Sequence, residues 1–255
     1  MEDCGDVWRG QKTTGRGQMG HQAIVIALEN RYGVARLPQV LHAAGCRTTV
    51  LGLASNPVCF SRHVDRVVAC GSEPRQLIAA LKSLLSHCPG PRPWVIIGDE
   101  TSLMALSHGR DEKWMQDLFP FDFASGFDVA MRKTCFAPAA TAAGIPMPRW
   151  RVCPSLAEAE SAAESLVFPV FMKRDMSTAG TGVLQLHRRD QIAPAFARLG
   201  RHAPVLLQET AAGVVGKTDV LYHRGIPWCW AHSFAVKTHP GRFQPPGTAK
   251  RASQR

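Results

Sequence analysis

Short apolar runs alternate with amphipathic segments in the first half of the chain. Residues 22–28 and 93–98 are mainly apolar, residues 47–53 end in Val-Leu-Gly-Leu, and each of the three segments is predicted to be a strand. Residues 33–44 and 74–88 place leucine, isoleucine and valine at helical spacing, and each is predicted to be a helix. Strands that alternate with helices predict an α/β fold with a parallel sheet and right-handed crossovers.

Polar side chains follow two of these predicted strands. In sheets of this class, ligands bind beyond the carboxyl ends of the strands. Asp99 and Glu100 follow the third strand, but we expect them to cap the helix that starts at Thr101. Residues 29–31, the sequence Glu-Asn-Arg, follow the first strand and are the better candidates for contacting a substrate.

Three helices are predicted in the second half of the chain. The first covers residues 128–144, with a kink or a break at Pro138. The second covers residues 155–166 and starts with a Ser-x-x-Glu capping box. The third covers residues 190–199, although Pro194 interrupts it.

The strands of the second half are predicted to form an antiparallel set. Their predicted positions are residues 168–173, 182–186, 205–208, 217–222 and 226–234. A mixture of antiparallel strands and helices is typical of an α+β fold. The whole chain is therefore predicted to be α/β followed by α+β.

The strongest chemical signal lies between residues 168 and 183. A short apolar strand delivers Lys173, and a loop of small residues follows it. The loop consists of Ser177, Thr178, Ala179, Gly180, Thr181 and Gly182. Small side chains let successive backbone N–H groups approach phosphate oxygens, and the lysine adds a positive charge beside them, which predicts a nucleoside triphosphate as ligand. An ordinary hairpin with an exposed lysine stays an alternative on these residues alone, and the P-loop pattern GxxxxGK[ST] is absent.

Five motifs follow one another along the second half of the chain. They are a helix with Lys133, a helix stop at residues 144–148, the strand that delivers Lys173, the small-residue loop and the strand 205–209. This order resembles that of the ATP-grasp superfamily of ligases, carboxylate–amine ligase type, over residues 22–241. The resemblance implies a Rossmann-like, parallel-sheet pre-ATP-grasp domain at residues 21–126. An incomplete ATP-grasp domain would follow at residues 127–241.

The resemblance also implies roles for individual residues. Lys133 would reach the phosphates of ATP, and Lys173 would lie near the α-phosphate and the adenine N7. Residues 177–182 would form a mobile lid over the β- and γ-phosphates. The segment that binds the adenine edge, largely with backbone groups, would consist of Gln208, Glu209, Thr210 and Ala211. Members of the family activate a carboxylate as an acyl phosphate, which an amine or another nucleophile attacks, so small-molecule carboxylates and amines are the implied substrates.

Mg²⁺ is a second cofactor that the resemblance implies, but its ligands are not found in the sequence. Mg²⁺ prefers carboxylate oxygens, and no Asp or Glu follows Asp219. We therefore expect the chain to stop within the catalytic domain and to be inactive alone. A nucleotide-binding pseudoenzyme, or a subunit that another chain completes, is the alternative hypothesis, and a homodimer also stays open.

The charge of the chain raises a third hypothesis. The formal net charge is +10 and the isoelectric point is about 9.6, which is typical of proteins that bind nucleic acid or anionic surfaces. Much of the excess lies in residues 217–255, which contain seven Lys and Arg residues and one acid. No basic helix or nucleic-acid-binding motif accompanies it. A basic, nucleic-acid-associated α/β protein therefore stays a hypothesis, but we do not expect nucleic acid as the main partner.

Composition supports further expectations about membrane spans, cellular location, the two tails and the cysteines. No run of about 18 apolar residues occurs, so a membrane span is not expected. Residues 1–20 lack the apolar core of a signal peptide, which predicts a cytoplasmic protein with a flexible N-terminal tail. Residues 242–255 are polar and contain prolines, and they are predicted to be a disordered tail. The eight cysteines form no CxxC pair and show no metal-ligand spacing, so reduced, mostly buried thiols are expected.

Overall fold

The structure of the protein is a computed structural model. It describes residues 6–7, 20–30, 32–88, 90–119, 122–177, 181–202, 204–223, 225–234 and 251–252. The chain divides into two compact units, residues 1–124 and 125–255, and each contains at least one β-sheet. The predicted tails, residues 1–20 and 242–255, fall almost entirely outside the described residues.

A sheet of five strands forms the centre of the first unit. The strands are β1 (Asp6–Val7), β2 (Gln22–Ala27), β3 (Arg47–Gly52), β4 (Arg66–Ala69) and β5 (Trp94–Ile97). They lie in the order β1-β4-β3-β2-β5, in which β2 to β5 are parallel and β1 pairs antiparallel with β4. The predicted parallel sheet is confirmed, and β4 is a strand that the apolar pattern did not indicate.

Helices accompany this sheet within the described residues of the first unit. They are α1 (Leu37–Ala43), α2 (Pro74–Ser86), α3 (Glu100–Leu106) and α4 (Lys113–Gln116). α1 starts later than predicted, after a 3₁₀ turn over Val34–Arg36. Pro38 occupies the first turn of α1, where its missing N–H leaves no helical bond unmade. α2 buries Leu77 and Leu81 completely, as its spacing predicted.

Two helices replace the single helix that was predicted over residues 128–144. They are α5 (Phe123–Met131) and α6 (Lys133–Ala142). The break lies at Arg132, whose backbone is extended, and not at Pro138, which is inside α6. The carboxylate of Asp175 accepts a hydrogen bond from the N–H of Thr134, so a new helix can start beside it.

A four-stranded antiparallel sheet forms the core of the second unit. Its strands are β6 (Trp150–Cys153), β7 (Val170–Arg174), β8 (Val183–Leu186) and β9 (Val205–Glu209), in the order β6-β9-β7-β8. Helices α7 (Leu156–Ser165) and α8 (Ile192–Leu199) pack against it and bury an apolar cluster with it. Ser155 caps α7 by accepting a hydrogen bond from the N–H of Glu158, as the capping box predicted. Pro194 lies in the first turn of α8 and does not interrupt the helix, so that prediction was wrong.

A hairpin of two long strands completes the second unit. β10 (Gly216–His223) pairs antiparallel with β11 (Ile226–Phe234), and β12 (Arg251–Ala252) adds two residues to the other edge of β11. The exposed apolar surface of the hairpin includes Leu221, Tyr222, Ile226, Trp228 and Phe234, each of which is more than half exposed. Within the described residues, no helix is both long enough and apolar enough to span a membrane.

Candidate functional site

Three side chains of the second unit share one face of its four-stranded sheet. β7 and β9 pair so that Phe171 lies opposite Gln208, and Lys173 is two residues further along β7. Because side chains alternate between the two faces of a strand, these three lie on the same face. The Lys173 ammonium donates a hydrogen bond to Gln208 Oε1 at 2.6 Å and lies 5.6 Å from the centre of the Phe171 ring.

The positive charge of Lys173 has no carboxylate partner among the described residues. Its hydrogen-bond acceptor there is the neutral amide of Gln208, which is only 7% exposed. Burial lowers the pKa of the Lys173 ammonium below its ordinary value, and the positive charge of Lys133 lowers it further. A partly buried cation attracts an anion more strongly than an exposed one, because less water screens the attraction.

Lys133 reaches the same region from the start of α6. Its ammonium donates to the hydroxyl of Ser177 at 3.2 Å and to the Ser177 carbonyl at 3.4 Å, although the two residues are 44 positions apart. Asp175 fixes the start of α6. Its Oδ1 accepts a hydrogen bond from the Thr134 N–H at 3.0 Å, and its Oδ2 accepts one from the Thr134 hydroxyl. The structure therefore brings Lys133 to the segment that follows β7, the strand that carries Lys173.

Hydrogen bonds hold the described ends of the segment between β7 and β8. The Arg174 N–H donates to the Gly182 carbonyl at 2.9 Å, and the Ser177 hydroxyl donates to the Arg174 carbonyl at 3.2 Å. A Cβ at position 182 would lie 2.4 Å from the Ser177 side chain and 2.5 Å from that of Arg174, so this position requires glycine. Met176 has a φ of +49°, a conformation that is uncommon outside glycine. Thr181 is exposed beside Gly182, and Thr178, Ala179 and Gly180 lie outside the described residues.

The segment predicted to bind adenine, residues 208–211, is already bonded at several polar groups. The Glu209 carboxylate accepts a hydrogen bond from the Val167 N–H at 2.8 Å and pairs with the Arg149 guanidinium at 3.0 Å. The two middle N–H groups of the segment donate to backbone carbonyl oxygens at 2.9 and 3.1 Å. No hydrogen bond of the Ala211 N–H is present within the described residues. Of the N–H groups of residues 209–211, that of Ala211 is therefore the one that the described residues leave to a ligand.

Asp175 and Glu209, the acids nearest in sequence to Lys173 and Gln208, are engaged by other protein groups. Asp175 is bonded through both oxygens to Thr134, and Glu209 pairs with Arg149. In the part of the chain that the structure describes, no three His, Cys, Asp or Glu side chains come together as a metal site. The described residues therefore do not fit Mg²⁺, which needs oxygen ligands.

Asp99 and Glu29, two acids of the first unit, have structural partners. Asp99 accepts hydrogen bonds from three backbone N–H groups, among them that of Ser102 at 2.7 Å, and so caps α3 and ties it to the end of β2. The prediction that Asp99 caps a helix is confirmed, whereas Glu100 is the first residue of α3 and not a cap, so the helix starts one residue earlier than predicted. Glu29 accepts hydrogen bonds from the Thr101 N–H at 3.2 Å and from the Thr101 hydroxyl at 2.6 Å. Substrate contact by residues 29–31 stays a prediction, and Arg31 lies outside the described residues.

Two residues that shape the candidate site were not found from the sequence. Asp175 caps a helix start that lies 41 positions earlier, and a cap at this distance leaves no local pattern. In the sequence, nothing distinguishes Phe171 from the other apolar residues of its strand. The alternation of side chains along β7 is the signal that could have placed Phe171 beside Lys173.

No protein-family model matches the sequence, and no curated protein matches it. Solved structures do match the fold. N5-carboxyaminoimidazole synthase from Aspergillus clavatus, solved with ADP and 5-aminoimidazole ribonucleotide, is 16% identical with a TM-score of 0.65, over 88% of this chain and 55% of its own. L-amino acid ligase from Bacillus licheniformis is 12% identical with a TM-score of 0.62, over 94% of this chain and 56% of its own.

A third solved structure matches the fold with a similar identity and coverage. The biotin carboxylase domain of 2-oxoglutarate carboxylase from Hydrogenobacter thermophilus, solved with MgADP, ADP and bicarbonate, is 13% identical with a TM-score of 0.62, over 88% of this chain and 52% of its own. The three structures are ATP-grasp proteins, so the resemblance that the order of motifs indicated is confirmed at the level of the fold. The chain spans little more than half of the length of each structure.

Proposed function

We propose that this chain, which has the fold of ATP-grasp carboxylate–amine ligases, binds ATP through its second unit. Lys133 and Lys173 would hold the phosphates, and residues 177–182 would close over them. The observation that carries this proposal is the Lys173 ammonium, which is partly buried, lies near a second cation and donates to a neutral amide. A phosphate oxygen would offset the repulsion between the lysines, and each hydrogen bond to a charged group contributes about 1.5–3 kcal/mol.

Residues 208–211 would bind the edge of the adenine base. The N–H groups of Glu209 and Thr210 are bonded within the protein, so the base would use backbone carbonyl oxygens and the Ala211 N–H. Adenine carries an amino donor and ring-nitrogen acceptors along its edges, which matches a carbonyl beside an N–H. The polarity of the segment thus supports adenine at this position.

We further propose that the chain belongs to a ligase lineage that acts on small-molecule carboxylates and amines. In this reaction a carboxylate oxygen attacks the terminal phosphorus of ATP, ADP leaves and an acyl phosphate forms. An amine then attacks the acyl carbon, an amide bond forms and phosphate leaves. The likeness of the fold supports this class of reaction, and the two lysines would offset the negative charge of the phosphates. Because the described residues do not fit Mg²⁺, no step is assigned to the metal.

A nucleotide-binding protein without transfer activity is the second candidate. The bonds of Asp175 and Glu209 favour it, because these acids are held by Thr134 and Arg149 and are not placed to hold a cation. A homodimer or a completing chain as partner, and a cytoplasmic location, stay predictions. The nucleic-acid hypothesis also stays a prediction, and a steep salt dependence of affinity for DNA or RNA would support it.

Calorimetric titration of ATP into the whole chain tests the proposal. We expect Lys133→Met and Lys173→Met to weaken binding at least tenfold, which corresponds to about 1.4 kcal/mol. Lys113→Met, at an exposed position of α4, should bind like the wild type. Equal affinity of the wild type and Lys173→Met would remove Lys173 from the site. We expect this chain alone to release no ADP with panels of carboxylates and amines in the presence of Mg²⁺, because its described residues do not fit the metal. Robust release of ADP would exclude the second candidate.

A further inference from the structure

Gln208 contacts the Lys173 ammonium without neutralising it. We propose that Gln208 is a positioning residue, whose neutral side chain fixes the ammonium and leaves the positive charge of Lys173 available to an anion. A carboxylate at position 208 would make the same contact and cancel that charge. The anion is expected to be a phosphate group of a nucleotide, and this part of the inference rests on the proposed function.

The contact between Lys173 and Gln208 is short and buried. Lys173 Nζ lies 2.6 Å from Gln208 Oε1, and the 7% exposure of Gln208 leaves its amide little room to move. β9, which carries Gln208, pairs with β6 on one side and β7 on the other, so its backbone is held from both sides. The Phe171 ring, 5.6 Å from the ammonium, limits the lysine on a further side. An ammonium has three N–H donors and Gln208 takes one, which leaves donors for a ligand.

The neutral character of Gln208 matters because a buried lysine usually pairs with a carboxylate. An amide oxygen accepts the hydrogen bond but adds no negative charge. Lys133 adds a second positive charge nearby, and burial together with Lys133 lowers the pKa of Lys173. An incoming anion is therefore attracted by both lysines. A carboxylate at position 208 would instead neutralise the charge of Lys173 before the anion binds.

The nearby acids are held away from Lys173. Asp175 is two residues further along the chain, but both of its oxygens accept hydrogen bonds from Thr134. Glu209 follows Gln208 directly, but alternation along β9 directs it to the other face, where it pairs with Arg149. Among the described residues, the side chain at position 208 thus decides whether a carboxylate or a neutral amide contacts the lysine.

Two variants of the whole chain test this role. Gln208→Glu keeps the size of the side chain and adds a negative charge, whereas Gln208→Met keeps a similar size and removes the acceptor. Gln39→Glu, at an exposed position of α1, adds the same charge elsewhere and is the matched control. The pKa of Lys173 is measured in each protein by NMR titration of ¹³C-labelled lysine, with Lys173→Met to assign the signal. ATP is titrated into each protein by calorimetry.

We expect the pKa of Lys173 to rise in Gln208→Glu, to fall in Gln208→Met and to stay unchanged in Gln39→Glu. ATP affinity should fall at least tenfold in Gln208→Glu and severalfold in Gln208→Met. An unchanged pKa of Lys173 in Gln208→Met would overturn the inference even if Gln208→Glu failed to fold. Wild-type ATP affinity in Gln208→Glu would overturn it as well.

The pKa measurement separates this inference from the proposed function. If the wild type bound no ATP, the proposed function would fail. The pKa of Lys173 in the two variants would then decide alone whether Gln208 holds the lysine and preserves its charge.

Discussion

Removal of the Asp175 carboxylate tests whether a distant cap holds the start of α6. Asp175 accepts one hydrogen bond from the Thr134 N–H at 3.0 Å and another from the Thr134 hydroxyl. Hydrogen bonds to charged groups contribute about 1.5–3 kcal/mol, and loss of a helix cap costs about 0.5–2 kcal/mol. We therefore expect Asp175→Ala to lower the free energy of unfolding by about 2–3 kcal/mol. Asp175→Asn keeps one acceptor oxygen and should lose only about 1 kcal/mol.

Urea unfolding of the whole chain, followed by circular dichroism, gives these differences, and hydrogen exchange locates them. The Thr134 amide should exchange faster in Asp175→Ala, because its acceptor is gone. Asp190→Ala is the matched control, since Asp190 forms an exposed ion pair with Arg188 at 3.0 Å, and such pairs contribute at most about 1 kcal/mol. Equal losses in the two alanine variants, with unchanged exchange at Thr134, would refute the argument that Asp175 holds α6.

Three other positions give measurable expectations. Gly182→Ala should destabilise the protein by about 1–3 kcal/mol in urea, because its Cβ would lie 2.4 and 2.5 Å from two side chains. Gly33→Ala is the control and should leave the stability unchanged, because no atom lies within 4 Å of its added Cβ. Cys153, whose pKa is raised to about 11 by burial and by a nearby glutamate, should react with iodoacetamide far more slowly than the exposed Cys229, and equal rates by mass spectrometry would contradict its burial. ATP affinity should fall as the pH rises through the lowered pKa of Lys173, earlier than for an ordinary lysine near 10.5, because the neutral amine no longer attracts phosphate. Calorimetry should find no such fall in Lys173→Arg, since arginine stays charged.

Local periodicity explains which parts of the fold were predictable from the sequence. Residues 22–28 keep one apolar pattern throughout, so this strand was predicted without tertiary information. The loop after Lys173 is a contiguous run of small residues between β7 and β8, and its role as a lid stays a prediction. The break at Arg132 was not predictable, because it depends on Asp175 from a distant loop. The prediction for Pro194 was wrong because it depended on where the helix starts. α8 starts at Ile192, so Pro194 lies in the first turn, where a helix accommodates proline. The candidate site was thus predictable in its contiguous parts but not in the contacts that assemble it.

We expect the exposed apolar surface of the hairpin to affect the association of protein copies in concentrated solution. Tyr222, Ile226, Trp228 and Phe234 are each more than half exposed, which favours contact between copies of the chain. Residues 217–255 contain seven basic residues and one acid, so copies repel one another through this part of the sequence. Salt weakens that repulsion, since the Debye length falls from about 10 Å at 0.1 M to about 3 Å at 1 M, but it does not weaken apolar contact. Light scattering should therefore find a monodisperse protein in dilute buffer and growing particles as the ionic strength rises, the reverse of the behaviour of an assembly held by ion pairs.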